Sequence, residues 1–193
     1  MNDTITYLTT AQLEAGLDHI RQSPKEEGVL LMIVRRPAVN SREAVDEGVL
    51  DLDRGRVGDN WLERGSGSTA DGSAHPEMQL NVINARLLDL VAGDKERWQL
   101  AGDQLVVDLD LSEENLPPGT QLALGDAVIE VTEIPHRGCA KFVARFGADA
   151  MRFVNSPLGT ELHLRGINAR VVQGGVIRTG DAVRKSSEPR FVG

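Results

Sequence analysis

The 193-residue chain holds a single cysteine, Cys139. An intrachain disulfide is therefore excluded, and with it the disulfide scaffolds of secreted proteins. No apolar run approaches the roughly 18 residues that a membrane span requires. The first residues also lack the basic-then-apolar pattern of a secretory signal, so a cytoplasmic protein without membrane contact is expected. Flavin, haem and iron–sulfur motifs are missing as well, and any redox chemistry would have to draw electrons from an external donor protein. Positive charge is scarce: 21 Lys and Arg stand against 29 Asp and Glu, a formal net charge of −8. That balance disfavours nucleic acid as a partner, because affinity for a phosphate backbone comes from cations that release counterions. What remains is ordinary globular composition, 40% apolar and 26% charged, suited to one domain of about 150 residues with extensions. The expected layout is a helical extension over 1–27, a core over 28–185 and a tail over 186–193.

The scarce positive charge is concentrated. Between Ile134 and Gly180 lie Arg137, Lys141, Arg145, Arg152, Arg165, Arg170 and Arg178 against only Asp149 and Glu161, and Cys139 sits inside this stretch. A thiol among cations is pushed toward thiolate, the form that acts as nucleophile and as soft metal ligand. Gly138 before it, and Phe142, Val143 and Phe146 at helical spacing up to Gly147, predict a helix that starts at or just after Cys139. The free N–H groups and dipole of that terminus favour negative charge at the same place. Lys141 and Arg145 are four apart and share one helix face, and with His136 and Arg137 they make a candidate anion site. Phe142 and Phe146 share another face and are assigned to the core. Blander readings stand beside these: a solvated face for Lys141 and Arg145, a small buried hydrophobe for Cys139, and for His136 either a pairing with the thiol or exposure to solvent. A metal-free peroxide-sensing thiol is a third possibility; without a second cysteine it would need an external thiol to resolve it.

Elsewhere the pattern reads as many short strands. Thr9 to Arg21 carries Leu13, Leu17 and Ile20 at helical spacing behind a Thr9…Gln12 capping box. Val29–Val34 reads as a buried strand, and Asn40-Ser41-Arg42-Glu43 as the cap of a short helix ending near Gly48. Further strands are expected at 49–52, 78–83, 104–109, 127–132 and 169–172, with helices over 84–91 and 140–154. Gly-Asp recurs at 58–59, 102–103, 125–126 and 180–181, consistent with turns that feed strands. The Gly- and Ser-rich stretch 64–76 is expected as a flexible loop, a lid or solvated slack. Short strands with Gly-rich turns and no regular strand–helix alternation indicate a barrel or sandwich.

Several blocks, in order, resemble the MOSC domain family (molybdenum cofactor sulfurase C-terminal domain). They are Gly58-Asp59; Ser112–Gly119 leading into Leu124–Val131; Gly138-Cys139-Ala140-Lys141-Phe142 with Arg145-Phe146-Gly147; and Arg165–Val172 closing on Gly175-Val176-Ile177 and Gly180-Asp181-Ala182-Val183. The resemblance implies a mainly β (α+β) fold, a strongly twisted antiparallel β-barrel with peripheral helices. It also implies a molybdenum-pterin cofactor (Mo-molybdopterin) whose metal is ligated by Cys139, or a persulfide carried there. Relatives that reduce N-hydroxylated bases and amidoximes imply a small-molecule substrate. Lys141 and Arg145 are the positions carried over for the cofactor's anion, and Asp59, Asn81 and Asn115 become candidate cofactor-lining residues, with turn and strand-end functions open to them equally. Many reductase-type relatives carry a His-Gly-Gly motif in mid-domain. Here His75-Pro76-Glu77 stands instead, and His75 reads as a loop residue or a site residue. His19 and His163 are assigned structural parts.

Overall fold

The computed structural model describes residues 6–186; of the expected tail, only Ser186 lies within them. The first helical stretch is split. Thr9 caps α1 (Thr10–Ala15) with the reciprocal Thr9/Gln12 box, and α2 (Leu17–Arg21) follows after Gly16. A Cβ at Gly16 would stand 2.6 Å from a Leu90 methyl carbon, so the interruption falls where the chain packs closest on a neighbouring helix. Leu13, Leu17 and Ile20 are buried as their spacing predicts.

The strands are β1 (Glu27–Arg35), β2 (Glu43–Val45), β3 (Glu47–Asp51), β4 (Gly55–Arg56), β5 (Leu80–Asn84), β6 (Leu105–Asp108), β7 (Gln121–Leu124), β8 (Ala127–Val131), β9 (Ile167–Gln173), β10 (Gly175–Arg178) and β11 (Ala182–Lys185). They build a closed seven-stranded barrel in the order β11-β7-β8-β9-β5-β6-β1, with β1 returning to β11. The one parallel pair in it, β5–β6, is joined through α4 (Ala85–Ala92), a crossover that parallel neighbours require. Closure removes exposed edges. A smaller sheet, β10-β3-β4, lies beside it.

β1 shows how one strand serves two cores. A register shift between Leu30 and Met32 in its pairing with β6 marks a bulge, so Leu30 and Ile33 both belong to the barrel interior although three apart, while Met32 and Val34 join the outer cluster. Without the extra residue Leu30 and Ile33 would point to opposite faces. The outer cluster is covered by α1, α2, α4 and α5 (Ala140–Val154), with Leu13, Leu88, Phe142, Phe146 and Phe153 among its members.

The short helix expected after Asn40 is not formed. Asn40 has φ 65°, the left-handed conformation that Asn tolerates in turns, and the chain continues as β2, antiparallel to β1. The local cap pattern lost to strand pairing and to the Arg35–Glu43 ion pair across it. The strand expected from Met78 begins at Leu80, because Pro76–Met78 form a 3-10 turn. Asn84 caps α4, accepting from the N–H groups of Arg86 and Leu87 at 2.8 and 3.2 Å. After α3 (Trp61–Arg64) the loop through Ser73 bonds to itself: Ser66 N–H donates to Gly72 O at 3.3 Å, and Thr69 Oγ1 to Ser73 O at 2.6 Å.

Candidate functional site

Two of the four Gly-Asp turns deliver buried carboxylates. Gly58 and Gly102 have φ of 82° and 84°, a conformation glycine adopts without cost, and each turn tucks its aspartate inward: Asp59 and Asp103 have side chains 0% exposed. Asp59 grips Arg36, just past β1, through both oxygens at 2.7 and 2.8 Å and also accepts the Trp61 N–H. The remaining Arg36 nitrogen donates to Gly102 O at 2.9 Å and Asn81 Oδ1 at 3.2 Å. Asn81, on β5, passes the network to Asn168 on β9 at 2.6 Å, and Asn168 donates on to Ile134 O. Asp103 holds Arg165 with both oxygens at 2.9 and 2.8 Å. The Arg165 guanidinium lies 5.1 Å over the Phe142 ring, a cation–π contact between the barrel and α5. Removing one partner of such a buried pair would leave an uncompensated charge, at a cost of about 3–5 kcal/mol.

His136 joins this centre instead of pairing with the thiol or facing solvent. Its Nδ1 lies 3.4 Å from Asp103 Oδ1 without hydrogen-bonding to it. Burial, then the charge of Arg165, drive its pKa down to about 3. The ring is therefore neutral at physiological pH, and the Asp103 contact is no ion pair there. The loop that carries His136 roofs a cavity of about 260 Å³ whose lining includes His136, Val154, Asn155, Thr160, Arg165 and Asn168.

Arginines around the centre with no carboxylate within ion-pair distance among the described residues include Arg42, Arg64 and Arg145, and Arg56, buried near Asp59, is another. Burial is the largest influence lowering the pKa of each, and neighbouring cations add to it: Arg145 and Arg36 act on Arg42, Arg36 on Arg64, and Arg165 on Arg145. Asp103 and Asp59 only partly offset this for Arg42 and Arg64. Arg42 packs against Gly102, where an added Cβ would lie 3.3 Å from its Nε, and that Nε is buried without a partner. Arg145 donates to Leu100 O at 2.6 Å. Of the neighbours that act on Arg145, Cys139 is the one that works against this lowering.

Cys139 is exposed and is the N-cap of α5, where its carbonyl accepts the N–H groups of Phe142 and Val143. The helix start read from the sequence is the observed one. α5 breaks at Gly147 (φ 90°, ψ 164°) into two helical halves, so the reading of Gly147 as a terminus and that of a helix over 140–154 each describe part of it. Phe142 and Phe146 are buried, with ring centroids 4.8 Å apart.

The other candidates are placed as follows. Lys141 is exposed and makes no hydrogen bond or ion pair among the described residues, and Arg137 is exposed at the cavity's edge. Asn115 is used in a turn: its amide donates to Lys25 O and Asp110 O, away from the Arg36–Asp59–Asp103–Arg165 centre. His75 Nδ1 accepts the Glu77 N–H, which makes it a turn residue; His163 bonds Leu111 O and His19 is exposed on α2. Sequence reasoning missed Arg36, Arg42, Arg64 and Asp103. The signal for Asp103 was its Gly-Asp turn; the arginines come from distant segments and carry no local motif.

Among solved structures, the YuaD protein from Bacillus subtilis superposes with TM-score 0.63 at 16% identity, over 84% of this chain and 97% of that one. YiiM from Escherichia coli gives 0.53 at 19% identity, over 85% and 72%. A hypothetical protein gives 0.59 at 20%, over 90% and 74%. These likenesses share the fold. No curated protein matches the sequence. The family model described as MOSC domain matches residues 48–184, which run from β3 into β11 and include every barrel strand except β1, together with Asp59, Asp103, Cys139 and Arg165, and the chain belongs to the MOSC domain family.

Proposed function

We propose that the protein binds a molybdenum-pterin cofactor, with Cys139 as thiolate ligand to the metal and Arg42, Arg64 and Arg145 around its phosphate, and that it reduces N-hydroxylated or related small compounds with electrons from an external donor protein. MOSC domains are associated with molybdenum cofactor binding or sulfur transfer in general; the assignment to these residues is ours. The observation that carries it is an exposed thiol beside Arg145, which with Arg42 and Arg64 belongs to a group of arginines around one centre that have no carboxylate within ion-pair distance among the described residues. Holding such cations together is unfavourable in the free protein and becomes favourable when an anion sits among them.

The donor set fits the group. Thiolate is a soft ligand suited to this metal, and planar guanidinium groups match phosphate oxygens bidentately. When bound, the metal supplies the two-electron change that cleaves an N–O bond, a reaction that also consumes two protons and releases water. The chain's own contribution is positional. The two Arg–Asp pairs fix the floor beneath the arginines, and neutral His136 presents no competing cation.

Elemental analysis of protein purified from a host that makes the pterin cofactor tests this directly. Molybdenum near one per chain is expected for wild type and little for Cys139→Ser, since a serine oxygen is a harder ligand. Loaded protein should then speed oxidation of a reduced viologen dye when amidoximes or hydroxylamines are added. Exposure of Cys139 also suits delivery of sulfur. No dye oxidation across an N-hydroxy panel, together with a persulfide on Cys139 by mass spectrometry, would replace the reductase reading with a sulfur carrier.

A further inference from the structure

The residue just before the thiol is held from an unexpected direction. Gly138 N–H donates to Asn155 Oδ1 at 2.9 Å, and Asn155 Nδ2 donates back to Gly138 O at 3.3 Å. One side-chain amide thus takes both polar groups of one residue's backbone. Asn155 is the C-cap of α5 while Cys139 is its N-cap. In a straight helix, the 17 residues from Gly138 to Asn155 would separate the two by about 25 Å at 1.5 Å per residue. They meet because the chain turns back at Gly147, whose φ of 90° and ψ of 164° belong to a region that is essentially glycine-only. Tyr7 lies over that bend, 2.8 Å from where a Gly147 Cβ would be, and its hydroxyl donates to Ala144 O at 3.2 Å. At the other end, a Cβ on Gly138 would meet Met151 Sδ at 2.6 Å and Val154 Cγ2 at 3.2 Å. The absence of a side chain at Gly138 is therefore what lets the cysteine loop seat on the second half of the helix.

We propose that Asn155 is a positioning residue for Cys139: its amide clamps the Gly138 backbone, so that the thiol is presented at a fixed angle to the arginine-lined face. The inference rests on the reading of Cys139 as metal ligand. It explains why an exposed loop residue is held by a reciprocal pair of hydrogen bonds, which stabilising the fold alone does not demand. Ordering a loop in advance removes that cost from binding. Release of the clamp should weaken retention of the ligand by about tenfold.

The test compares wild type, Asn155→Ala, Asn155→Asp and Cys139→Ala, all full-length and purified from a cofactor-producing host. The readouts are molybdenum per chain, the thermal midpoint, and amide exchange of residues 138–140 in protein made without the cofactor. For Asn155→Ala we expect molybdenum down about tenfold, exchange at 138–140 faster by a similar factor, and a midpoint within about 2 °C of wild type, since an exposed pair of hydrogen bonds contributes little to stability. Asn155→Asp keeps the acceptor for the Gly138 N–H and should retain more metal than Asn155→Ala; it also serves if the alanine variant does not fold. Wild-type metal content in Asn155→Ala, with loss in Cys139→Ala, overturns the clamp and leaves the reading of Cys139 intact. Metal loss matched by a large fall in midpoint and faster exchange throughout the domain also overturns it, by showing a scaffold residue. Full molybdenum in Cys139→Ala overturns the reading beneath it, and the clamp with it.

Discussion

Arg42→Met separates a residue kept for binding from one kept for folding, because the two cases move stability in opposite directions. In the free protein Arg42 is a liability. Its Nε is buried without a partner, and Arg145 and Arg36 repel it more than Asp103 attracts it. An unpaired buried donor costs about 1–3 kcal/mol; Arg42 is only part-buried, so water recovers about half of this and about 1 kcal/mol remains. Methionine removes the donor and the charge and keeps most of the aliphatic stem that lies against Gly102. The cofactor-free variant should melt about 2–4 °C higher than wild type, the shift that about 1 kcal/mol gives in a domain of this size. Binding should suffer. A charge-assisted hydrogen bond contributes about 1.5–3 kcal/mol, so affinity for inorganic phosphate should fall about 10- to 150-fold. Scanning fluorimetry of both proteins over a phosphate series reads both quantities in one experiment. A midpoint several degrees lower, with phosphate still stabilising the variant as it does wild type, would refute the reasoning and make Arg42 a scaffold residue.

His136 gives a pH dependence of definite sign. Its folded pKa of about 3 lies below the ordinary 6.5, so between those values the unfolded chain takes up a proton that the folded chain refuses, and stability is lost as pH falls through that window. His136→Gln should lose less stability than wild type between pH 6.5 and 4 in parallel denaturant titrations; parallel curves would mean that His136 is protonated in the fold. Gly147→Ala tests the helix reversal. A Cβ there meets both a forbidden backbone conformation and the Tyr7 ring, and a loss of about 1–3 kcal/mol or more is expected. An unchanged melting temperature would show that the bend relaxes without cost.

The elements were legible where the physics is local. Alternation and apolar runs located β1, β3, β5, β6, β8 and β9, the Thr9…Gln12 capping box located the start of α1, and helical spacing located the start of α5, because those patterns are set within a few residues. β2 was misread because Asn-Ser-Arg-Glu is a good helix cap in isolation, and only pairing with β1 decides against it. β7, β10 and β11, each close to a turn, were not read as strands, although barrel closure depends on β11. The arginine centre was illegible for a related reason. Arg36 and Asp59 are 23 residues apart, and Arg165 and Asp103 are 62 apart, so their pairing exists only once the barrel has closed. Counting charge along the chain found the basic stretch around Cys139 and Arg165. It did not find Arg36, Arg42 or Arg64, whose charges are masked by neighbouring acids such as Glu43, Asp59 and Glu63. Asn81 and His136, already candidates, do sit in this centre, and Gly-Asp was the sequence mark at its two carboxylates. All four glycines do adopt positive φ, yet Asp126 and Asp181 end in surface turns while Asp59 and Asp103 are buried beneath arginines. The dipeptide fixes the bend of the backbone, and the closed barrel decides which bends point inward. A motif of this kind therefore becomes evidence for a site only when a cation from elsewhere in the chain is shown to meet it.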